Sequence, residues 1–317
     1  MTSSARSRQP GDLVHGLIVV DKPAGITSHD VVDVVRRSVG QRRVGHCGSL
    51  DPLATGVLVL CLGRATRLAR FVAAVPKTYI GSMRLGVVTD TQDRCGRVLE
   101  RRAVCSDIGA RLDEVTRRFV GALEQIPPMY SAVKLNGVPL YRLARAGRSV
   151  PRRPRRITVY ELDCEPVGRA RVNFRIVCSS GTYVRTLCHD IGMELGCGAV
   201  MSTLRRVAVG RFTADEAVSV DECRSRQAVL DRLRRPAEAV RGLPFATVAP
   251  TDAACVVKGQ PVTVASIQGR SREGCWVRIE RQDGRLLAVG ITRPNGSANG
   301  TVVVWPKVVM EEPVCAS

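Results

Sequence analysis

No apolar run in this chain approaches the ~20 residues needed to cross a bilayer. The opening stretch, MTSSARSRQPGDLVHG, lacks the apolar centre of a signal peptide and reads as a disordered basic tail over residues 1–15. Cysteine is present at 12 residues, but no C-x-x-C spacing occurs, which argues against zinc-ribbon and thioredoxin-type motifs. Scattered cysteines without an export signal fit reduced thiols in a cytoplasmic chain, so no disulfide is expected. His15, His29, His46 and His189 show no ligand spacing, and no metal is expected. Neither G-x-x-x-x-G-K-[ST] nor G-x-G-x-x-G is present, so no nucleotide cofactor is indicated.

Acidic residues are few: 29 Asp and Glu against 48 Lys and Arg, a net charge of +19. Arginine-rich codon usage explains the preference for arginine over lysine, but not the excess over acids. A basic chain of enzyme size points to a polyanionic partner, nucleic acid before membrane. Between Gln125 and Tyr160 there is no acid, while Lys134, Arg142, Arg145, Arg148, Arg152, Arg153, Arg155 and Arg156 supply the charge, with Tyr130 and Tyr141 interleaved. A solvated basic face is the ordinary reading of such a run. Its length without compensating acid would self-repel, which favours a phosphate-gripping element.

The 317 residues, 44% hydrophobic, allow one large domain and a small one. Their centre is Gly45 to Leu60, GHCGSLDPLATGVLVL. Val57 to Leu62 reads as a buried strand. Pro52 biases Asp51 toward extended backbone, so its carboxylate should sit on a stiff loop, as an ordinary turn former or as a catalytic group. Leu17 to Val20 forms a strand, and Ser28 an N-cap for a valine-rich helix ending at Gly40. Gly63–Val75 and Ser106–Val120 read as helices, the latter amphipathic. Tyr79 falls in an alternating strand. Asp90 and Asp93 read as turn caps rather than metal ligands. Arg171–Cys178 alternates as a strand, and a helix ending at Gly196 follows SSGTYVR. Arg185 would lie in that helix's first turn, where a cation opposes the dipole unless an anion faces it. Met201–Arg211 is strand-like, and Asp221–Leu243 a helix and linker. Short strands are expected at 261–265, 275–280, 286–291 and 301–305.

The Asp51 loop fills every fixed position of the pattern G-H-x-G-x-L-D-P-x-A-x-G-x-L and closely resembles the signature loop of the bacterial tRNA pseudouridine synthase B (TruB) family. DKPAGITSHD, KTY, GVVTDTQDRCG and SGTYVR match further family motifs in order. The resemblance implies an α+β pseudouridine synthase fold: a mixed, mainly antiparallel central sheet flanked by helices, over residues 16–243, with a basic thumb insertion at about 127–156. Residues 244–317 resemble, more loosely, the PUA RNA-binding β-barrel that ends many TruB proteins. The implied activity is isomerisation of the T-loop uridine of tRNA (position 55 in tRNA numbering) to pseudouridine, by a monomer that needs no cofactor. Asp51 would be the catalytic carboxylate, paired with Arg185, which would keep it charged. Tyr79 would stack on the flipped base and handle a proton. Lys22 and Pro23 would lie by the cleft, and His46 would fill space vacated in the RNA. Leu204 would line the uracil pocket. Tyr183 would wall the base or belong to the core. Arg152, Arg153, Arg155 and Arg156 would grip phosphate. A non-catalytic RNA-binding protein on this scaffold is the alternative. A tRNA-guanine transglycosylase is disfavoured by the missing cysteine cluster.

Overall fold

The computed structural model describes residues 13–104, 106–294 and 302–311. In chain order, β1 (Gly16–Lys22), α1 (Ser28–Val39), β2 (Val44–His46) and β3 (Thr55–Leu62) lead through α2 (Ala69–Ala74) to β4 (Lys77–Leu85). A hairpin of β5 (Val87–Thr89) and β6 (Val98–Arg101), then α3 (Ile108–Arg117) and β7 (Gly121–Gln125), follow. The chain then makes an excursion through β8 (Lys134–Leu135), β9 (Val138–Pro139) and α4 (Leu140–Arg145). It returns as β10 (Arg155–Val167), β11 (Arg171–Cys178), α5 (Val184–Glu194) and β12 (Ala199–Val209). Short β13 (Phe212–Thr213), β14 (Val218–Ser219) and α6 (Arg226–Asp231) precede a second sheet region: β15 (Phe245–Val248), α7 (Pro250–Val257), β16 (Val262–Val264), β17 (Trp276–Arg281), β18 (Leu286–Pro294) and β19 (Val302–Val309).

The main sheet runs β14-β1-β3-β12-β4-β11-β10-β7, with β2 on β3 and β13 on β12. Its β1–β14 and β3–β12 pairs are parallel and the others antiparallel, the mixed, mainly antiparallel sheet expected. Strand β3 is buried on both faces. Leu58, Leu60 and Leu62 meet the valines of α1, while Val57, Val59 and Cys61 face α2 and the second sheet. That double burial is why its sequence is a continuous apolar run instead of an alternation. Strand β11 has one covered face: Val172, Phe174, Ile176 and Cys178 point into a core that α3 and α5 close.

The second sheet, β15-β17-β18-β19-β16, curls into a nearly closed barrel around its own core. Its first strand, β15, and α7 were not among the expected elements. Leu286, Val289, Val308 and Met310 of the barrel share one apolar cluster with Leu17, Val57 and Leu68 of the larger region. The Trp276 and Phe71 rings meet edge-on at 5.2 Å across that seam.

Three local expectations change. Thr27, not Ser28, caps α1: its hydroxyl accepts from the Asp30 N–H while Asp30 accepts from the Thr27 N–H, a capping box. The expected tail reaches too far: Val14 is buried and exchanges two hydrogen bonds with the Gln41 amide, and residues 1–12 lie outside the described residues. The basic excursion runs from 126 to 154, because Arg155 and Arg156 already pair with Gln125 and Glu124 in the sheet.

Candidate active site

Two segments distant in sequence place the central pair. Asp51 follows β2 on a loop clamped from several sides. Ser28, in the first turn of α1, accepts from the Leu50 N–H at 2.8 Å and donates to the Leu50 carbonyl at 3.3 Å. Lys22, fully buried at the end of β1, donates from Nζ to the carbonyls of Pro23 and Ile26 at 2.8 Å and of Pro52 at 3.3 Å. Lys22 is therefore neither a solvated surface lysine nor a free cation in the cleft. It ties the Pro23 turn to the residue after Asp51, and burial lowers its pKa to about 8. Gly56 closes the loop at φ +101, where a Cβ would lie 2.2 Å from the Arg206 carbonyl oxygen, so only glycine lets β3 meet β12 there.

Opposite stands α5. Tyr183 caps it, with its backbone held by the Gln125 amide at 2.8 and 3.1 Å. Its ring is half-buried beside the Arg185 guanidinium, 5.9 Å from centroid to Cζ. Arg185, 5% exposed, reaches Asp51 Oδ2 with Nη1 at 3.0 Å. The anion that the helix N-terminus called for is thus Asp51. A second carboxylate, Asp93 of the β5–β6 turn, lies 3.7 Å from the same nitrogen. Asp93 is buried and accepts from the Thr91 hydroxyl and the Cys95 N–H, so it is both a turn cap and a neighbour of the pair. The turn-cap reading missed the second role. Only tertiary folding brings that turn to α5. Arg185 Nη2 donates to the Tyr130 carbonyl of the basic excursion at 2.6 Å, and Nε has no partner among the described residues.

The net electrostatics differ from the expectation that arginine simply holds the carboxylate down. Burial is the largest influence on Asp51 and raises its pKa; Arg185 opposes it, Asp93 adds to it, and Lys22 opposes it more weakly. A third of the Asp51 side chain stays exposed. His46 is held neutral by burial and by Arg206, and its Nδ1 accepts weakly from the Gly48 N–H at 3.4 Å.

Tyr79 is 8% exposed and packs with Leu50, Ala54 and Leu204. Leu204 also borders a groove of about 730 Å³, with Leu53, Phe174, Arg94, Arg171 and Arg205 around it. Pro23 is exposed at the turn that Lys22 holds. Of the four arginines expected to grip phosphate, Arg153, Arg155 and Arg156 are exposed, while Arg152 donates to the Pro127 carbonyl at 3.2 Å and braces the excursion's base. Sequence reading also missed Arg206. On β12 it shares the inward register with Leu204, and an arginine on the buried side of a strand was the signal. No group of three or more metal-ligating side chains occurs among the described residues, and no described helix is long and apolar enough to cross a membrane.

The mixed sheet that carries the Asp51–Arg185 pair, followed by a nearly closed C-terminal barrel, is the fold of a pseudouridine synthase. A Cbf5–Nop10–Gar1 complex contains a chain of this fold, with a TM-score of 0.72 and 26% identity, covering 98% of this chain and 93% of that one. Residues 36–184 match the N-terminal domain of TruB family pseudouridylate synthases, and residues 185–243 match the tRNA pseudouridylate synthase B C-terminal domain. The tRNA pseudouridine synthase B of Geotalea uraniireducens is 53% identical over 65% of this chain and 67% of its own length. That of Saccharophagus degradans is 38% identical over 92% and 96%. The chain belongs to the TruB family.

Proposed function

We propose that this protein is a tRNA pseudouridine synthase that isomerises the T-loop uridine, with Asp51 as its catalytic carboxylate. The observation that carries the proposal is the 3.0 Å approach of Arg185 to Asp51 at the open end of a loop that Ser28 and Lys22 immobilise. The reaction breaks the N1–ribose bond, turns the base and joins carbon 5 to the same sugar carbon. It needs an ionised oxygen near the sugar and a pocket for a base turned out of its stack. Arg185 favours the ionised form of Asp51 against the burial that opposes it. Tyr79 and Leu204, packed together, supply the pocket wall, and Tyr79 takes the carbon-5 proton. Tyr183 lies beside the Arg185 guanidinium, and His46 ends β2 just before the Asp51 loop. The exposed arginines Arg153, Arg155 and Arg156 face the tRNA backbone, and the C-terminal barrel adds a second RNA surface. The enzyme acts as a monomer in the cytoplasm.

Tritium release from tRNA labelled at uridine carbon 5 tests this. The wild type should release tritium and form pseudouridine in the T loop. Asp51→Asn should bind tRNA and release none. Equal release by both would exclude Asp51 as the catalytic group, and binding without release by both would leave an RNA-binding protein only.

A further inference from the structure

The main sheet buries one arginine against carbonyls instead of a carboxylate. Arg206 is 2% exposed and is the bulkiest of the fully buried side chains. Its Nε donates to the Val57 carbonyl at 2.7 Å, Nη2 to that of Gly48 at 3.0 Å and Nη1 to that of Ser49 at 3.3 Å. A guanidinium removed from water carries a heavy desolvation penalty, and neutral acceptors offset less of it than an anion does. A methionine or leucine would fill this space without that penalty, so the cation calls for an explanation beyond packing.

Two neighbours supply one. The carbonyls of Gly48 and Ser49 belong to the loop that carries Asp51. On the other side, the β12–β4 register sets Arg206 directly opposite Tyr79, so the two side chains leave neighbouring strands side by side. We propose that Arg206 is a positioning residue for pseudouridine formation: one immobile cation that braces the Asp51 loop and presents a positive charge to the Tyr79 hydroxyl, without touching RNA. The inference rests on the roles proposed for Asp51 and Tyr79. Tyr79 releases its proton to solvent before the step. Its phenolate then takes the carbon-5 proton as the ring's 5,6 double bond re-forms, and gives it up to water after product leaves. A phenolate in a buried site needs a cation beside it.

Burial, with Cys178 from β11 and Asp51, raises the Tyr79 pKa, and the Arg206 charge is the main influence opposing that rise, which is the role the proposal gives it. Burial, with the same cation adding to it, also lowers the pKa values of Lys22, Lys77 and His46.

The test compares Arg206→Gln, which keeps donors for the loop and removes the charge, with Arg206→Lys, which keeps the charge and loses the fork. Single-turnover tritium release is followed against pH, alongside tRNA affinity and melting temperature. Arg206→Gln should lose on the order of a hundredfold in rate, with tRNA affinity unchanged, and its rise in rate with pH should move to higher pH. Arg206→Lys should also slow, with that rise where the wild type has it. A uniform loss in Arg206→Gln with an unmoved pH profile would overturn the proposal. A wild-type rate in either variant, or a displaced rise in Arg206→Lys, would do the same, and the lysine variant alone decides the matter if the glutamine variant does not fold. Asp51→Asn and Tyr79→Phe run beside them. Full activity in either control would refute the parent reading instead, whereas inactive controls with an unaltered Arg206→Gln profile would refute this inference alone.

Discussion

Burial makes the ionised form of Asp51 costly to the folded chain. Its pKa is raised in the folded chain, so the folded state prefers the protonated, neutral form more than the unfolded state does. That contribution is complete below the unfolded value of 3.8 and is lost as pH rises through the folded value. At neutral pH the ionised carboxylate therefore works against folding. Asp51→Asn should raise the melting temperature of the free protein at pH 7 while lowering turnover by roughly 10⁴-fold or more. A lower melting temperature would contradict the sign. Arg185 is the largest force keeping Asp51 ionised, so Arg185→Met should move the acid limb of the rate profile to higher pH, as titration of single-turnover rates would reveal. Lys22 bonds only backbone carbonyls, and its charge favours the ionised Asp51 only weakly. Lys22→Met leaves the Pro23 and Ile26 carbonyls without their donor, Pro52 keeping the Gly25 N–H, and should lower stability by about 2 kcal/mol or more. Turnover should fall with it while tRNA affinity stays. Affinity falling in step with turnover would instead place Lys22 at the RNA.

Among the elements, the basic excursion and the start of β10 that follows it divide the labour. Arg153, Arg155 and Arg156 are exposed, whereas Arg152 is bonded to Pro127 at the base. Replacing the exposed three by alanine should weaken tRNA binding and reduce the salt slope by about one for each phosphate left without its cation. Arg152→Ala should leave the slope nearer the wild type. Binding isotherms across salt concentrations separate the two, and an unchanged slope in the triple variant would show those charges meet no phosphate. The Tyr130 carbonyl joins this excursion to Arg185, so the basic element is tied directly to the Asp51–Arg185 pair. Helix α5 shows how much of this was legible. An arginine in the first turn of a helix is an electrostatic conflict visible in sequence, and its resolution by an acid could be anticipated. That Asp93 would stand 3.7 Å away could not, because its spacing from Asp90 fits a turn equally well.

At the scale of the whole molecule, one apolar cluster runs through both the larger sheet and the barrel. The two regions should unfold together. Both tryptophans, Trp276 and Trp305, lie in the barrel, so their fluorescence and the far-ultraviolet signal of the whole chain should give coincident melting curves. A separate, earlier fluorescence transition would show an independent barrel. Truncation after residue 243 should expose the face that Leu286, Val289, Val308 and Met310 cover, and yield an unstable, association-prone fragment. The amino-acid sequence by itself determined the strands and helices with clear periodicity, the stiff Asp-Pro loop and the surplus of positive charge, since each depends on neighbours a few residues apart. Tertiary structure alone decided that Lys22 and Arg206 are buried braces, that Asp93 joins the pair, and that the barrel shares the core of its neighbour. Those roles depend on which groups from distant segments compete for the same water-free space, and spacing along the chain does not encode that competition.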